Sequence, residues 1–183
     1  METSLASGKH SCAANPSTLH ISTMLYRLYQ PEDFGRLYPL EELCFELPER
    51  FSRRYMRQLV SRSNTATWIA EEDGQMAGFA IVEWNQEPGE VIAYIQTIEV
   101  APEARGRGVG RELLGHTESS ARLAGACLIW LHVREANANA IRLYEAHGYR
   151  CEGREENYYP LGRPALIYGK QIDSAPNQPI IVK

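Results

Sequence analysis

No apolar run in the 183 residues approaches the roughly 18 needed for a membrane-spanning helix. The chain also lacks a C-x-x-C pair, a secretory signal, an internal repeat and any low-complexity stretch in its folded part. Its four cysteines, at positions 12, 44, 127 and 151, are too far apart for a compact metal or redox unit. They read as reduced thiols, and no metal site is expected. A net charge of -4 gives no general pull toward nucleic acid or an anionic membrane, so neither is expected as a partner. What remains is 44% hydrophobic and 23% charged, the composition of an ordinary soluble domain, expected in the cytoplasm. A chain of this length fits one domain.

Residues 1–23 are rich in Ser, Ala, Thr and Asn without hydrophobic periodicity and read as a loose tail. The domain is expected over 24–172, with a second short tail at 173–183. Its first strand is Leu25 to Tyr29. A helical pattern follows from Glu32 to Phe45, with Pro31 suited to a first turn and Pro39 placed to kink or break it. Ser52 is a candidate N-cap for a second helix running to about Ser61. Thr67 to Ala70 and Met76 to Glu83 read as strands joined by an Asp73-Gly74 hairpin, and Val91 to Val100 is the third strand of an antiparallel meander. In Ala104 to Ala124 a glycine-and-arginine turn leads into a crossover helix, with Val109, Leu113, Leu114, Thr117, Ala121 and Ala124 at helical spacing, ended by Gly125. Cys127 to Val133 reads as a buried strand parallel to the Val91 strand, with Cys127 in the core. Asn137 to His147 is a short helix stopped by Gly148. Tyr149 to Asn157 and Ala165 to Gln171 close the domain as strands.

Arg105-Gly106-Arg107-Gly108-Val109-Gly110-Arg111 is the strongest local signal. A helix N-terminus carries about half a positive charge, so clustered arginines cost a few tenths of a kcal/mol each unless an anion sits among them. Glycines there let backbone N–H groups approach a phosphate closely. The spelling excludes two rival phosphate motifs: the dinucleotide fingerprint G-x-G-x-x-G does not fit the glycine spacing, and no Gly-Lys-Ser/Thr is present.

Arg105 to Gly110 fits Gln/Arg-x-x-Gly-x-Gly/Ala, the cofactor loop of the GNAT N-acetyltransferases, and the chain resembles that family from Met24 to Ile172. Asn137-Ala138-Asn139-Ala140-Ile141-Arg142-Leu143-Tyr144 and Gly148-Tyr149 are also in its style. Tyr94-Ile95-Gln96-Thr97-Ile98, Leu131-His132-Val133 and Asn157-Tyr158-Tyr159-Pro160 are similar to the subgroup that acetylates protein N-termini. The resemblance implies an α/β fold whose mostly antiparallel sheet has a central parallel pair splayed around acetyl-coenzyme A, with helices flanking it. It further implies that backbone amides of Arg105, Gly106, Arg107, Gly108, Val109, Gly110 and Arg111 hold the pyrophosphate. Ile98 and Val100 would pair with the pantetheine through their backbones, Asn137 would hydrogen-bond the same arm, and Tyr144 would help the thiolate leave. Tyr94 and His132 would handle the proton of the attacking amine. His132 stands where bacterial ribosomal-protein acetyltransferases carry Glu.

The residues support the same chemistry independently. An amine must lose a proton to attack a thioester, and histidine, with an ordinary pKa of about 6.5, is the apt base. At about pH 7.5 roughly a third of an α-amine is neutral but only about a thousandth of a lysine side chain, which favours an N-terminal acceptor. Tyr158 and Tyr159 on one side and Phe45 and Pro48 on the other are expected to wall a narrow slot for a chain end. Two other readings remain: an acetyltransferase for lysine side chains or small amines, and a non-catalytic acetyl-coenzyme A-binding module that could dispense with His132 and Tyr94.

Overall fold

The computed structural model describes residues 23–173; the tails expected at either end otherwise lie outside the described residues. The elements run β1 (Leu25–Leu28), α1 (Phe34–Cys44), α2 (Arg53–Leu59), β2 (Thr65–Glu72), β3 (Gln75–Glu87), β4 (Glu90–Val100), α3 (Val109–Leu123), β5 (Ala126–Arg134), α4 (Ala138–Ala146), β6 (Arg150–Tyr159) and β7 (Arg163–Gln171). The strands form one sheet in the order β1-β2-β3-β4-β5-β7-β6. Every neighbouring pair is antiparallel except β4 and β5, which α3 connects as a crossover. This is the mixed sheet expected from the sequence.

Local chemistry sets the boundaries. Asp73 and Gly74 take φ of 49° and 77°, the left-handed pair that a two-residue hairpin requires. Ser52 caps α2 by accepting the Tyr55 N–H at 3.2 Å, and the helix ends at Leu59, slightly short of the expected Ser61. The expected break at Pro39 does not occur; Pro39 lies inside α1. The carbonyl that loses its partner belongs to Gly35, and both residues are exposed, so water can take the missing bond.

Residues 77 to 83 of β3 are all buried, which requires cover on both faces of the sheet. On one face α3 packs closely: a Cβ at Gly78 would stand 2.6 Å from the Glu99 carbonyl and 3.2 Å from Leu113. On the other face α1 and α2 contribute Leu37, Met56 and Leu59, all fully buried with Phe79 and Ile81. Strand β5 differs from its expected burial. Ile129, Leu131 and Val133 are buried, whereas Leu128, Trp130 and His132 on the opposite face are only partly covered, because no helix lies over them. Cys127 is likewise half-buried rather than core, its thiol directed at the Glu90 carboxylate 3.1 Å away.

Candidate active site

Two irregularities in the sheet create the site. Strands β4 and β5 pair only from Val91 and Ala126 to Tyr94 and Trp130; beyond these residues they part. Within β4, Thr97 lies opposite Ile81 and Ile95 opposite Val82, so Gln96 is an extra, bulged residue. In a regular strand Tyr94 and Ile98 would share a face. The bulge reverses the alternation, leaving Tyr94 beside Glu83 on the α1/α2 side and turning Ile98 and Val100 toward α3. One strand therefore serves two clefts on opposite faces.

The first cleft, of about 1090 Å³, holds Tyr94, His132, Trp130 and Tyr158. The Tyr94 hydroxyl is 3.1 Å from His132 Nδ1 and 3.0 Å from the Tyr158 hydroxyl. Tyr158 stacks on the imidazole with ring centroids 3.9 Å apart and 18° between planes. Burial depresses the His132 pKa below its ordinary 6.5, partly opposed by Glu155, whose carboxylate lies 3.1 Å from Nε2. Burial and the neighbouring Tyr158 push the Tyr94 phenol far above its ordinary range, so it stays protonated. The pair thus offers a neutral imidazole with a phenol hydroxyl between it and the open cleft, an arrangement able to accept a proton.

The second cleft, of about 810 Å³, opens where β4 and β5 part, and is lined by Ile98, Val100, the loop entering α3, Asn137 and Tyr144. Gly106 and Gly108 take φ of 75° and 84°, and a Cβ at either would meet no protein atom within 4 Å. The first N–H groups of α3 have no partner within the helix and stand at this cleft. Arg105, which lines the cleft, folds back so that Nε donates to the Val100 carbonyl at 3.0 Å, and Arg107 pairs with Glu72. Arg111 lines the cleft with its side chain exposed. Asn137 caps α4 by accepting the Ala140 N–H at 3.2 Å through Oδ1, which leaves its amide N–H groups free for another acceptor. Tyr144 is buried against Tyr149 and Tyr168, and desolvation raises its phenol above the ordinary range. It borders this second cleft, not the one that holds His132.

The four residues expected to wall the acceptor slot are divided. Tyr158 lines the first cleft, and Tyr159 lies beside it with its hydroxyl 3.5 Å from the His132 carbonyl. Phe45 lines the second cleft instead, and Pro48 is exposed and lines neither. The contact between the two walls is made by Glu49, absent from the sequence reading. Its buried carboxylate bridges Arg163 at 2.6 Å and Arg134 at 2.9 Å, tying the α1–α2 loop to the β6–β7 tip. The sequence also gave no sign of the buried acid pair Glu41 and Glu99. Each has one buried carboxylate oxygen without a hydrogen-bond partner among the described residues. Burial and Glu41 hold the Glu99 pKa well above the carboxylate range.

The sequence profile of the Acetyltransferase (GNAT) family matches residues 24–149. Among curated relatives, streptothricin acetyltransferase of Streptomyces lavendulae is 42% identical over 101 residues, covering 53% of this chain and 51% of that protein. The [Ribosomal protein bS18]-alanine N-acetyltransferase of Escherichia coli strain K12 is 37% identical over 89 residues, covering 49% and 57%. The chain thus spans little more than half the length of these relatives. Among solved structures, the ribosomal-protein-S18-alanine N-acetyltransferase from Escherichia coli superposes with a TM-score of 0.74 at 26% identity, covering 85% of this chain and 98% of that one. Arabidopsis thaliana NAA60 in complex with acetyl-CoA shares the fold, with a TM-score of 0.73 at 22% identity and coverage of 82% and 99%.

Proposed function

The chain belongs to the acetyltransferase (GNAT) family, and from that premise we propose that it transfers acetyl from acetyl-coenzyme A to the N-terminal α-amine of a peptide or protein. Residues 24–172 form the catalytic unit in this reading. The observation that carries it is the Tyr94–His132 pair, held under Tyr158 at the point where β4 and β5 part.

The cleft on the α3 side suits coenzyme A. Its phosphates match the unpaired first N–H groups of α3 at Val109, Gly110 and Arg111, with the Arg111 side chain adding charge, and the space beside Gly106 and Gly108 admits them closely. The β4 edge at Ile98 and Val100 and the Asn137 amide suit the amide-bearing pantetheine arm. When bound, the cofactor supplies an activated acetyl thioester. The chain's own groups then act from the two faces. Tyr94 takes a proton from the acceptor nitrogen as it passes its own to His132 Nδ1. Tyr144, kept protonated by burial, donates its hydroxyl proton toward the departing sulfur. No acyl-enzyme is required: the Glu90 carboxylate against the half-buried Cys127 sulfur raises the thiol pKa and so disfavours the thiolate that would attack.

An α-amine suits a base whose pKa lies below 6.5 better than a lysine does, because much more of it is already neutral. Glu49, joining the two loops beside Tyr159, gives a chain end a defined approach. A free small amine is the second reading, favoured by the breadth of the first cleft and the likeness to streptothricin acetyltransferase. The test is steady-state release of coenzyme A thiol with matched peptides. Free N-termini should react, whereas the same peptides with blocked N-termini and an internal lysine should be at least tenfold slower; the reverse order would reject the proposal.

A further inference from the structure

The His132 imidazole has a second polar partner that the proposed chemistry leaves unused. Nδ1 faces the Tyr94 hydroxyl, and Nε2 faces Glu155 Oε2 at 3.1 Å. Glu155 reaches it through an irregularity in β6. Between Glu155 and Tyr159 that strand advances four residues while β7 advances two, and Asn157 takes φ of 58°. Glu155 and Tyr158, three residues apart, therefore meet the same ring instead of pointing to opposite faces.

We propose that Glu155 is the positioning residue for His132: its carboxylate holds the proton on Nε2, makes Nδ1 the basic nitrogen, and stabilises the imidazolium formed during transfer. This rests on the assignment of Tyr94 and His132 made above. A carboxylate only accepts hydrogen bonds, so Nε2 must donate to it. Nδ1 then has a free lone pair, and among the described residues the donor that reaches it is the Tyr94 hydroxyl. The Tyr94 oxygen accepts in turn from Tyr158 or from an arriving amine. All the hydrogen bonds run one way, toward the carboxylate. As the acceptor's nitrogen–carbon bond forms and the acetyl carbon–sulfur bond breaks, with the sulfur taking its proton from Tyr144, the acceptor's N–H bond breaks and an O–H bond forms on Tyr94. The original Tyr94 O–H breaks as Nδ1–H forms, and the positive charge lies against Glu155. The side chain of His132 is 7% exposed and that of Glu155 52%, so the carboxylate links a buried base to solvent. Among the described residues Glu155 is the charge that bears on the ring: the groups facing it are Tyr94 from β4, Tyr158 from β6, Trp130 from its own strand and apolar Ile167 opposite on β7, while Arg134, two residues along β5, is paired with Glu49. Arg154, next to Glu155, is engaged with Glu135.

The test compares Glu155→Gln, which keeps an acceptor oxygen but removes the charge, with Glu155→Ala, which removes both. An NMR titration of the His132 ring and kcat against pH on one free-N-terminus peptide are recorded for each. The exposed partner is worth a fraction of a pKa unit, so the His132 midpoint should fall by about half a unit in both variants. The ascending limb of kcat should move to lower pH by the same amount. Plateau kcat should drop about threefold for Gln and about tenfold for Ala, with acetyl-coenzyme A affinity unchanged, because a weaker base accepts the proton less readily. A merely structural Glu155 would change melting temperature or plateau but leave the His132 midpoint in place, and that result overturns the proposal. A midpoint that moves while the kcat limb stays fixed would instead reject His132 as the base.

Discussion

Alanine at Gly108 and at Gly110, two residues apart at the start of α3, should move stability in opposite directions. Gly108 holds φ of 84°, and a Cβ there meets no protein atom within 4 Å. Its substitution therefore costs only the left-handed backbone, about 1 kcal/mol. Gly110 lies in the first turn of α3 without a positive φ. A Cβ there would touch Leu143 and Val100 at 3.6 Å, an ordinary contact, and alanine in place of glycine in a helix gains up to about 0.8 kcal/mol. In a domain of this size 1 kcal/mol moves Tm by about 2–4 °C. Without ligand, Gly108→Ala should melt about 3 °C below the parent and Gly110→Ala about 2 °C above it. Binding should separate them further. The left-handed turn at Gly108 aims the following N–H groups into the cleft, and relaxing it forfeits at least one hydrogen bond to a charged phosphate, about 1.5–3 kcal/mol. Gly108→Ala should therefore weaken acetyl-coenzyme A binding by about tenfold or more, and Gly110→Ala by less than about threefold. Thermal melts and titration calorimetry measure both quantities. A Gly108→Ala protein with parental affinity, or a Gly110→Ala protein that melts lower, would refute this account of the loop.

His132→Ala and Tyr94→Phe should each lower kcat on the order of 10²-fold, with cofactor affinity kept. The parent's kcat should rise through a midpoint below 6.5, because burial favours the neutral imidazole, and that limb should vanish in His132→Ala; a surviving limb would assign it to another group. Glu49→Ala should raise KM for peptides several-fold while changing kcat less, since it unties the α1–α2 loop from Arg134 and Arg163 without touching the base; an unchanged KM would show that the loops need no tie. Glu99 keeps in the native state a proton that the unfolded chain releases above about pH 4.5, so stability falls as pH rises toward the folded pKa. Urea unfolding of Glu99→Gln should therefore show a stability difference that grows in the variant's favour from about pH 5 to 8, and a constant difference would contradict a buried, protonated Glu99.

The fold was readable where local chemistry repeats. Asp73-Gly74, the Ser52 cap, Gly125 and Gly148 bounded their elements as the sequence indicated, and the crossover helix gave the parallel pair. Pro39 misled because its cost depends on whether the orphaned Gly35 carbonyl meets water, which only the fold decides. The bulge at Gln96 was hidden because Tyr94, Gln96 and Ile98 continue a plain alternation in sequence while the register shifts beneath them. That one residue explains why Tyr94 and Ile98, on one strand, border different clefts. Glu155 sits in the run Arg154-Glu155-Glu156, which resembles any solvated strand edge, and Glu49 meets its arginines across more than eighty residues of chain, so neither left a periodic trace. Phe45 was assigned from its loop alone; its side of the sheet follows from how α1 ends against β4, where Cys44 reaches the Val100 carbonyl.

Whether the Tyr94–His132 pair serves an α-amine is decided by giving the protein acetyl-coenzyme A and one peptide that carries both a free N-terminus and an internal lysine. The reaction is stopped at low conversion, and the acetyl group is located by tandem mass spectrometry. Acetyl should be found on the N-terminal nitrogen and be lost in His132→Ala; acetyl on the lysine, or no transfer to the peptide while a free polyamine is acetylated, would rule out an α-amine acceptor.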